Sequence, residues 1–477
     1  MEEDKTETTY TAKRIAHWDS VALRKRKIRC GRYYHKRLTK IYQFLVYPGQ
    51  RVCEVGCGEG DLLAALKPSV GVGIDFSKEM IRTAQKKHPS LTFVQADCHD
   101  VMLDETFDVV ILSDLVNDLW DVQCVFQNIQ SLVNSRTRII INSYSRLWEK
   151  PLNLARRLRL SRPTLAQNWF TVEDIFNMLR LSDYEVIRKW EEILFPLPFP
   201  LLSAFFNRFL VKIWPFRLFA LANFILTKPC LAFSEPEPKP SVSVLVPARN
   251  EAGNIANILR RVPEMGSFTE IIFVEGHSKD DTYNVIKQEI PKFPDKRCRL
   301  IRQTGVGKAD AVRAGFKIAS GDILMILDAD ITVPPEDLPR FYEALVNGKG
   351  EFINGVRLVY PMEDKAMRFF NILGNKFFSV AFSWLLGQSI KDTLCGTKVL
   401  KKDDYLRIAD NRAYFGEFDP FGDYDLIFGA AKLGLKIVDL PIRYRERVYG
   451  STNIQRWRHG LLLLKMLLVA ARRIKFV

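Results

Sequence analysis

Residues 234–240 read SEPEPKP, three prolines alternating with charges. Proline has no amide hydrogen and a fixed φ, so such a run enters neither a helix interior nor a sheet and serves as a stiff linker. On each side of it, short β-branched apolar runs alternate with helical patterns. That alternation predicts two α/β domains with parallel sheets. The expected boundaries are a first domain at 1–192, an apolar-basic connector and linker at 193–240, and a second domain at 241–477. A chain of 477 residues exceeds what one ordinary core serves.

The net charge of +15, from 70 Lys+Arg against 55 Asp+Glu, points to an anionic partner: phosphates, an acidic membrane surface or nucleic acid. Nucleic acid is the weakest of these. Arg24-Lys25-Arg26-Lys27 is basic, but no aromatic-interleaved basic module or zinc finger accompanies it. The eight cysteines lack zinc-ligand spacing, and free thiols fit a reducing, cytoplasmic compartment. The opening MEEDKTETTY does not read as a signal peptide. No apolar run reaches the roughly 18 residues of a membrane span. Two stretches mix apolar bulk with cations: residues 193–233, broken by Arg208, Lys212, Arg217 and Lys228, and residues 461–477, with Lys465, Arg472, Arg473 and Lys475. These predict helices lying in a membrane interface, which would make the protein peripheral on the inner face of the cell membrane.

The first chemistry sits at residues 52–66. An apolar strand pattern, Val52 to Val55, runs into Gly56-Cys57-Gly58-Glu59-Gly60 and then a helical pattern. Glycines at a strand-to-helix turn let the backbone approach a ligand closely. A dinucleotide fingerprint would place its third glycine where Asp61 stands, so the pattern favours adenosylmethionine over NAD. The second strand ends on Asp75, placed to accept hydrogen bonds from ribose hydroxyls, and the third delivers Asp97 toward the adenine amino group. This ordered set resembles the class I S-adenosylmethionine-dependent methyltransferases over residues 45–145. The resemblance implies that Gly56, Gly58 and Gly60 line the methionine moiety with Glu54 nearby, that Asp75 holds the ribose, and that Asp97 and Cys98 hold the adenine. Methyl transfer depends on positioning, and an oxygen acceptor also needs a base. Asp114, Asp118, His99 and Tyr144 are the candidates by position.

The second chemistry follows the linker. The strand pattern 241–246 opens into Pro247-Ala248-Arg249-Asn250-Glu251. A second strand ends at Glu275, and a third ends in Asp328-Ala329-Asp330. Two carboxylates spaced i, i+2 point the same way on an extended segment. They can share a divalent ion, Mg2+ or Mn2+, that binds a nucleotide-sugar diphosphate and offsets its charge on leaving. This half resembles the inverting GT-A glycosyltransferases over residues 242–454. The resemblance implies donor contacts from Pro247, Arg249, Asn250, Glu251, Glu275, Lys308 and Asp328, and metal ligation by Asp328 and Asp330. Asp392, Asp423 and Asp425 fall where the family places acceptor-side and base residues. Where the familiar pattern has an aspartate pair followed by Gly-Ser, this chain has Glu275-Gly276-His277-Ser278, which leaves one carboxylate for the nucleoside.

The segment 443–452 most resembles dolichyl- and polyprenyl-phosphate sugar synthases. There Arg443, Arg447 and Thr452 would meet the lipid phosphate, a task that suits the bidentate guanidinium. The long transmembrane tail of many polyprenyl-phosphate transferases is missing from this sequence.

The sequence thus predicts an α/β enzyme of two domains, a Rossmann-like methyltransferase sheet and a GT-A domain. It would transfer methyl groups from S-adenosylmethionine, and sugar from a nucleotide sugar to a polyprenyl phosphate or lipid-linked glycan. The alternative keeps one head catalytic and makes the other a ligand-binding or docking module.

Overall fold

The computed structural model describes all residues except 1, 24–28, 159–164, 231–237, 358–368, 415–421, 444, 446, 448, 450–455 and 477. The chain forms two compact units, the first Met1–Ala232 with Phe476–Val477 and the second Phe233–Lys475. The expected basic run at 24–27, most of the 234–240 linker and Thr452 lie outside the described residues.

The first unit begins with two helices, α1 (Glu2–Leu23) and α2 (Arg29–Leu45). Its sheet comprises β1 (Arg51–Val55), β2 (Val70–Asp75), β3 (Thr92–Gln95), β4 (Val109–Ser113), β5 (Arg138–Tyr144), β6 (Tyr184–Glu192) and β7 (Ala222–Pro229), in the order β3-β2-β1-β4-β5-β7-β6. β1 to β5 run parallel, and β7 is antiparallel to both β5 and β6. Alternate strand residues point to opposite faces. Val52, Val109 and Ile111 therefore pack with Tyr34, Leu38 and Tyr42 of α2, while Cys53, Val110 and Leu112 enter the core on the other face. Both faces are covered, which is why these strands read as unbroken apolar runs.

Two expectations need correction here. The sheet is mixed rather than parallel, because β7 is reversed. Residues 193–240 are not wholly connector, since β7 within them is a buried strand hydrogen-bonded between β5 and β6. Its apolar character, read as a membrane face, serves the sheet instead. The exposed apolar bulk lies upstream, at Phe199, Leu201, Phe205, Trp214 and Phe219.

The second unit holds β8 (Val242–Ala248), β9 (Thr269–Glu275), β10 (Arg297–Arg302), β11 (Ile323–Ile326), β12 (Phe352–Val356), β13 (Lys398–Lys401) and β14 (Ile437–Pro441), in the order β10-β9-β8-β11-β13-β12-β14. This sheet is also mixed: β13 runs antiparallel to β11 and β12. Val242, Val244 and Val246 of β8 pack with Ile271, Phe273 and Met325 in its core. Among the described residues, no helix is long and apolar enough to cross a membrane.

Candidate active sites

In an open α/β sheet a ligand binds beyond the carboxyl ends of the strands, where the strand order reverses. In the first unit that point lies between β1 and β4. After β1 the chain turns through Gly56, Gly58 and Gly60 at φ 75, 51 and 74, a region that strains other residues. A Cβ on Gly56 would lie 2.8 Å from Leu115 Cδ1, and one on Gly60 2.6 Å from Phe93. The turn is strapped to β2, whose Ile74 carbonyl accepts from the amides of Gly56 and Cys57 at 2.8 and 3.0 Å.

Asp75 stands at the tip of β2. Its two oxygens accept from the amides of Gly58 and Ser77, each at 2.9 Å. Burial pushes its carboxyl up to about 6 against the pull of those donors. Beyond β3, Asp97 Oδ1 accepts from the His99 amide at 3.0 Å and lies 2.6 Å from His99 Nδ1. Burial works to raise the Asp97 carboxyl, but these contacts hold it below its ordinary value. Gly56, Asp75, Asp97, Cys98 and His99 line one continuous pocket. Glu54 does not join them. It is buried, its Oε2 accepts from the Leu63 amide at 3.0 Å, and burial pushes it up to about 8. Its role is to hold the start of the helix Asp61–Ala65.

Sequence reasoning missed the roof of this pocket. Tyr10, Thr11 and Arg14 of α1 line it. Arg14 Nε reaches Asp118 Oδ1 at 3.0 Å, its Nη2 donates to the Ala166 carbonyl at 2.6 Å, and Trp18 Nε1 donates to Asp118 Oδ2 at 2.8 Å. Tyr10, Arg14 and Trp18 recur at i, i+4 and i+8, one helix face. That aromatic-cation stripe was the legible signal. The base candidates divide accordingly: Asp118 is held by α1 and His99 by Asp97, while Asp114 and Tyr144 lie together in a separate polar cluster.

In the second unit the centre is Lys308, the first residue of the helix Lys308–Ile318. Its Nζ lies 2.7 Å from Asp328 Oδ1 and 3.7 Å from Asp423 Oδ1. Burial works to lower the Lys308 ammonium, but the two carboxylates hold it above its ordinary value. Gly396 backs Asp328, since a Cβ there would meet Asp328 Oδ2 at 2.0 Å. Asp423 opens the helix Asp423–Lys432 after Gly422, whose φ is 75. Asp330 takes a different cation, Arg447 Nη2 at 2.6 Å, and its Oδ1 accepts from the Thr332 hydroxyl at 2.8 Å. The two aspartates sit on a turn past the end of β11, closed by Ile331 N donating to the Asp328 carbonyl at 3.2 Å. They are not on an extended segment as the i, i+2 argument assumed.

Glu251 completes this group, with Arg447 Nη1 at 3.5 Å. Burial, with Asp330 adding to it, pushes Glu251 up to about 7 against the pull of Arg447. Asn250 has φ 57, and its side chain accepts from the Lys279 amide at 2.7 Å. Pro247 is half-buried beside it and Arg249 is exposed.

Other expected residues are committed elsewhere. Glu275 is buried and accepts from the Ser278 amide at 2.5 Å. Asp392 is fully buried in a bidentate pair with Arg357 at 2.7 and 2.9 Å. Asp425 pairs with Arg412 at 2.7 Å. Of the three catalytic candidates, Asp423 alone stands at the Lys308 centre. Arg443 is exposed.

Family models match one stretch in each unit. Residues 47–187 match a methyltransferase domain, and residues 243–405 match glycosyl transferase family 2. Dolichol-phosphate mannosyltransferase from Pyrococcus furiosus is 29% identical over 220 residues, covering 45% of this chain and 59% of that protein. Glycosyltransferase AglJ from Haloferax volcanii is 29% identical over 223 residues, 46% of this chain and 68% of that one. The chain therefore spans only part of the length of these relatives. Among solved structures, glucosyl-3-phosphoglycerate synthase from Mycobacterium tuberculosis shares 18% identity and a TM-score of 0.36, covering 49% of this chain and 80% of that one. The chain is thus similar to a methyltransferase domain over residues 47–187 and to glycosyl transferase family 2 over residues 243–405.

Proposed function

We propose that the protein is bifunctional: it transfers sugar from a nucleotide sugar to a polyprenyl phosphate or lipid-linked glycan, and methyl groups from S-adenosylmethionine. The observation that carries the sugar reading is the meeting of Asp328 and Asp423 on Lys308, a carboxylate-lysine centre beside Asp330 and Glu251. The donor set is all hard oxygen, which suits Mg2+ or Mn2+ arriving with a diphosphate rather than a closed protein cage. Asp328 and Asp330 would hold such an ion, which supplies charge compensation for the leaving diphosphate. Lys308 adds a fixed cation at the same place. Asp423, at a helix N-terminus, would take a proton from the acceptor. Similarity to a dolichol-phosphate mannosyltransferase and to undecaprenyl-phosphate sugar transferases supports a lipid-phosphate acceptor.

Such an acceptor is met at a bilayer. Leu461, Leu464 and Leu468 are exposed on the helix Arg456–Ala470, beside exposed Lys465, Arg472 and Arg473. Apolar groups insert and cations anchor on an acidic leaflet. The protein should sediment with anionic liposomes at low salt, and high salt should release it only partly because apolar insertion is not screened. A protein left wholly in the supernatant beside anionic vesicles would reject the membrane reading in favour of a water-soluble acceptor.

On the methyltransferase side, the pocket from Gly56 through Asp75 to Asp97 fits an elongated nucleoside ligand, and α1 would close over it. Arg14→Ala removes charge-assisted bonds worth about 1.5–3 kcal/mol each. Release of adenosylhomocysteine, followed by stopped-flow fluorescence, should speed up by about tenfold or more. An unchanged release rate would mean that α1 does not gate the cofactor.

A further inference from the structure

Asp75 and Asp97 occupy the β2 and β3 side of the crevice. The β4 and β5 side carries a different group. Asp114 follows directly on β4, held at φ 55, a conformation uncommon outside glycine but open to Asp and Asn. Its neighbour Leu115 packs on the glycine turn at Gly56, so Asp114 stands beside the turn. Its Oδ1 accepts from the Tyr34 hydroxyl at 2.7 Å and from Asn142 Nδ2 at 2.5 Å. The Tyr144 hydroxyl is a third donor to the carboxylate. Tyr42 donates to Asn142 Oδ1 at 2.7 Å, which turns the amide so that its NH2 faces Asp114. Tyr42 and Asn142 are fully buried. Four side chains from α2 and β5 thus fix one carboxylate, and α2 lies outside the matched methyltransferase domain.

Resting on the methyltransferase reading, we propose that Asp114 is the general base for methylation of a hydroxyl group on a neutral polyhydroxy acceptor, with Tyr34 and Tyr144 binding that acceptor. A glycan or a glycolipid has this chemistry. The acceptor oxygen forms its bond to the methyl carbon as the carbon-sulfur bond breaks. The bonding pair returns to sulfur, and the hydroxyl proton passes to the Asp114 carboxylate. An acceptor carboxylate would be repelled by Asp114. The tyrosine hydroxyls both donate and accept, as a polyol requires. Burial pushes Asp114 up to about 6, so it is ionised at neutral pH yet basic enough to take a proton. The titratable groups facing it are Tyr34, Tyr42 and Tyr144, whose hydroxyls are all held well above their ordinary values by burial.

The test incubates the full chain with methyl-labelled adenosylmethionine and either the lipid extract or the water-soluble glycan extract of the cells that make it. Label is expected as a methyl ether, stable to mild alkali, and the extract that takes it distinguishes a glycolipid from a free glycan. Asp114→Asn, which tolerates the same φ, should slow labelling by about a hundredfold or more, and Tyr34→Phe by about tenfold. Both should bind adenosylhomocysteine within twofold of wild type. Asp114→Asn should also melt above wild type at pH 8, by a margin that shrinks as pH falls from about 6 toward about 4, because stability from the protonated carboxyl is lost across that window as pH rises. Alkali-labile label, labelled amine, no alkali-stable label at all, or an Asp114→Asn rate within threefold of wild type overturns the assignment. So does a variant that melts below wild type at pH 8. Failure of the wild type to bind adenosylhomocysteine would sink the methyltransferase reading itself and this assignment with it.

Discussion

Asp328→Asn is expected to cut sugar transfer by about a hundredfold or more, measured as initial rates with a panel of nucleotide sugars and polyprenyl phosphate in detergent. Two losses combine. Charge compensation by a bound divalent ion is worth several kcal/mol, and about 2.7 kcal/mol is already a hundredfold in rate. The second loss is local. Lys308 sits 2.7 Å from Asp328 and 3.7 Å from Asp423, so neutralising Asp328 leaves the ammonium to move onto Asp423, the residue proposed to accept a proton. Asp330→Asn should share the first loss only, because its partner is Arg447 rather than Lys308. The Asp328 variant is therefore expected to be the more damaged of the two. Excess chelator should silence the wild type, and full activity in chelator would refute the metal-assisted mechanism. A near-normal rate for Asp328→Asn would remove the Lys308 centre from the sugar reaction altogether.

Both sheets were legible because their signals are local. Val52-to-Gly60 and Ser241-to-Glu251 each show an apolar run, then small or polar turn residues, then a helical pattern, and the chain forms strands at both places. The acids at strand ends were legible for the same reason: Asp75 terminates β2 and Asp328 follows β11. What the sequence hid depends on partners distant along the chain. Asp392, Asp423 and Asp425 look alike in one dimension, yet Arg357 takes the first and Arg412 the third. Only folding shows which carboxylate reaches Lys308. β7 was hidden differently. Its apolar residues resemble the exposed ones upstream, and nothing local says that Ala222–Pro229 will slot between β5 and β6. Tyr34 was invisible as a site residue because its partner, Asp114, lies eighty positions away.

The second large effect should come from Asp75→Ala, which is expected to weaken adenosylmethionine binding by about a hundredfold or more while sugar transfer stays within twofold of wild type. A carboxylate accepting from two ribose hydroxyls supplies charge-assisted bonds of about 1.5–3 kcal/mol each. Asp75 also holds the site together, since its oxygens fix the Gly58 amide of the glycine turn and the Ser77 amide before the next helix. Calorimetry with adenosylhomocysteine measures the loss, and the retained sugar activity reports that the chain still folds. Asp75→Asn separates the two contributions, because an amide oxygen still accepts from the backbone but lacks the charge. The pH dependence adds a sign that a purely structural role would not give. Burial places the Asp75 carboxyl at about 6, and the ionised form is the one proposed to accept from the ribose. Wild-type affinity should therefore be level above about pH 6 and fall as pH drops through it, by up to tenfold per unit, and Asp75→Asn should lose that step. If Asp75→Ala abolishes both activities together, the two domains are not independent, and the linker read at residues 234–240 does not isolate their functions.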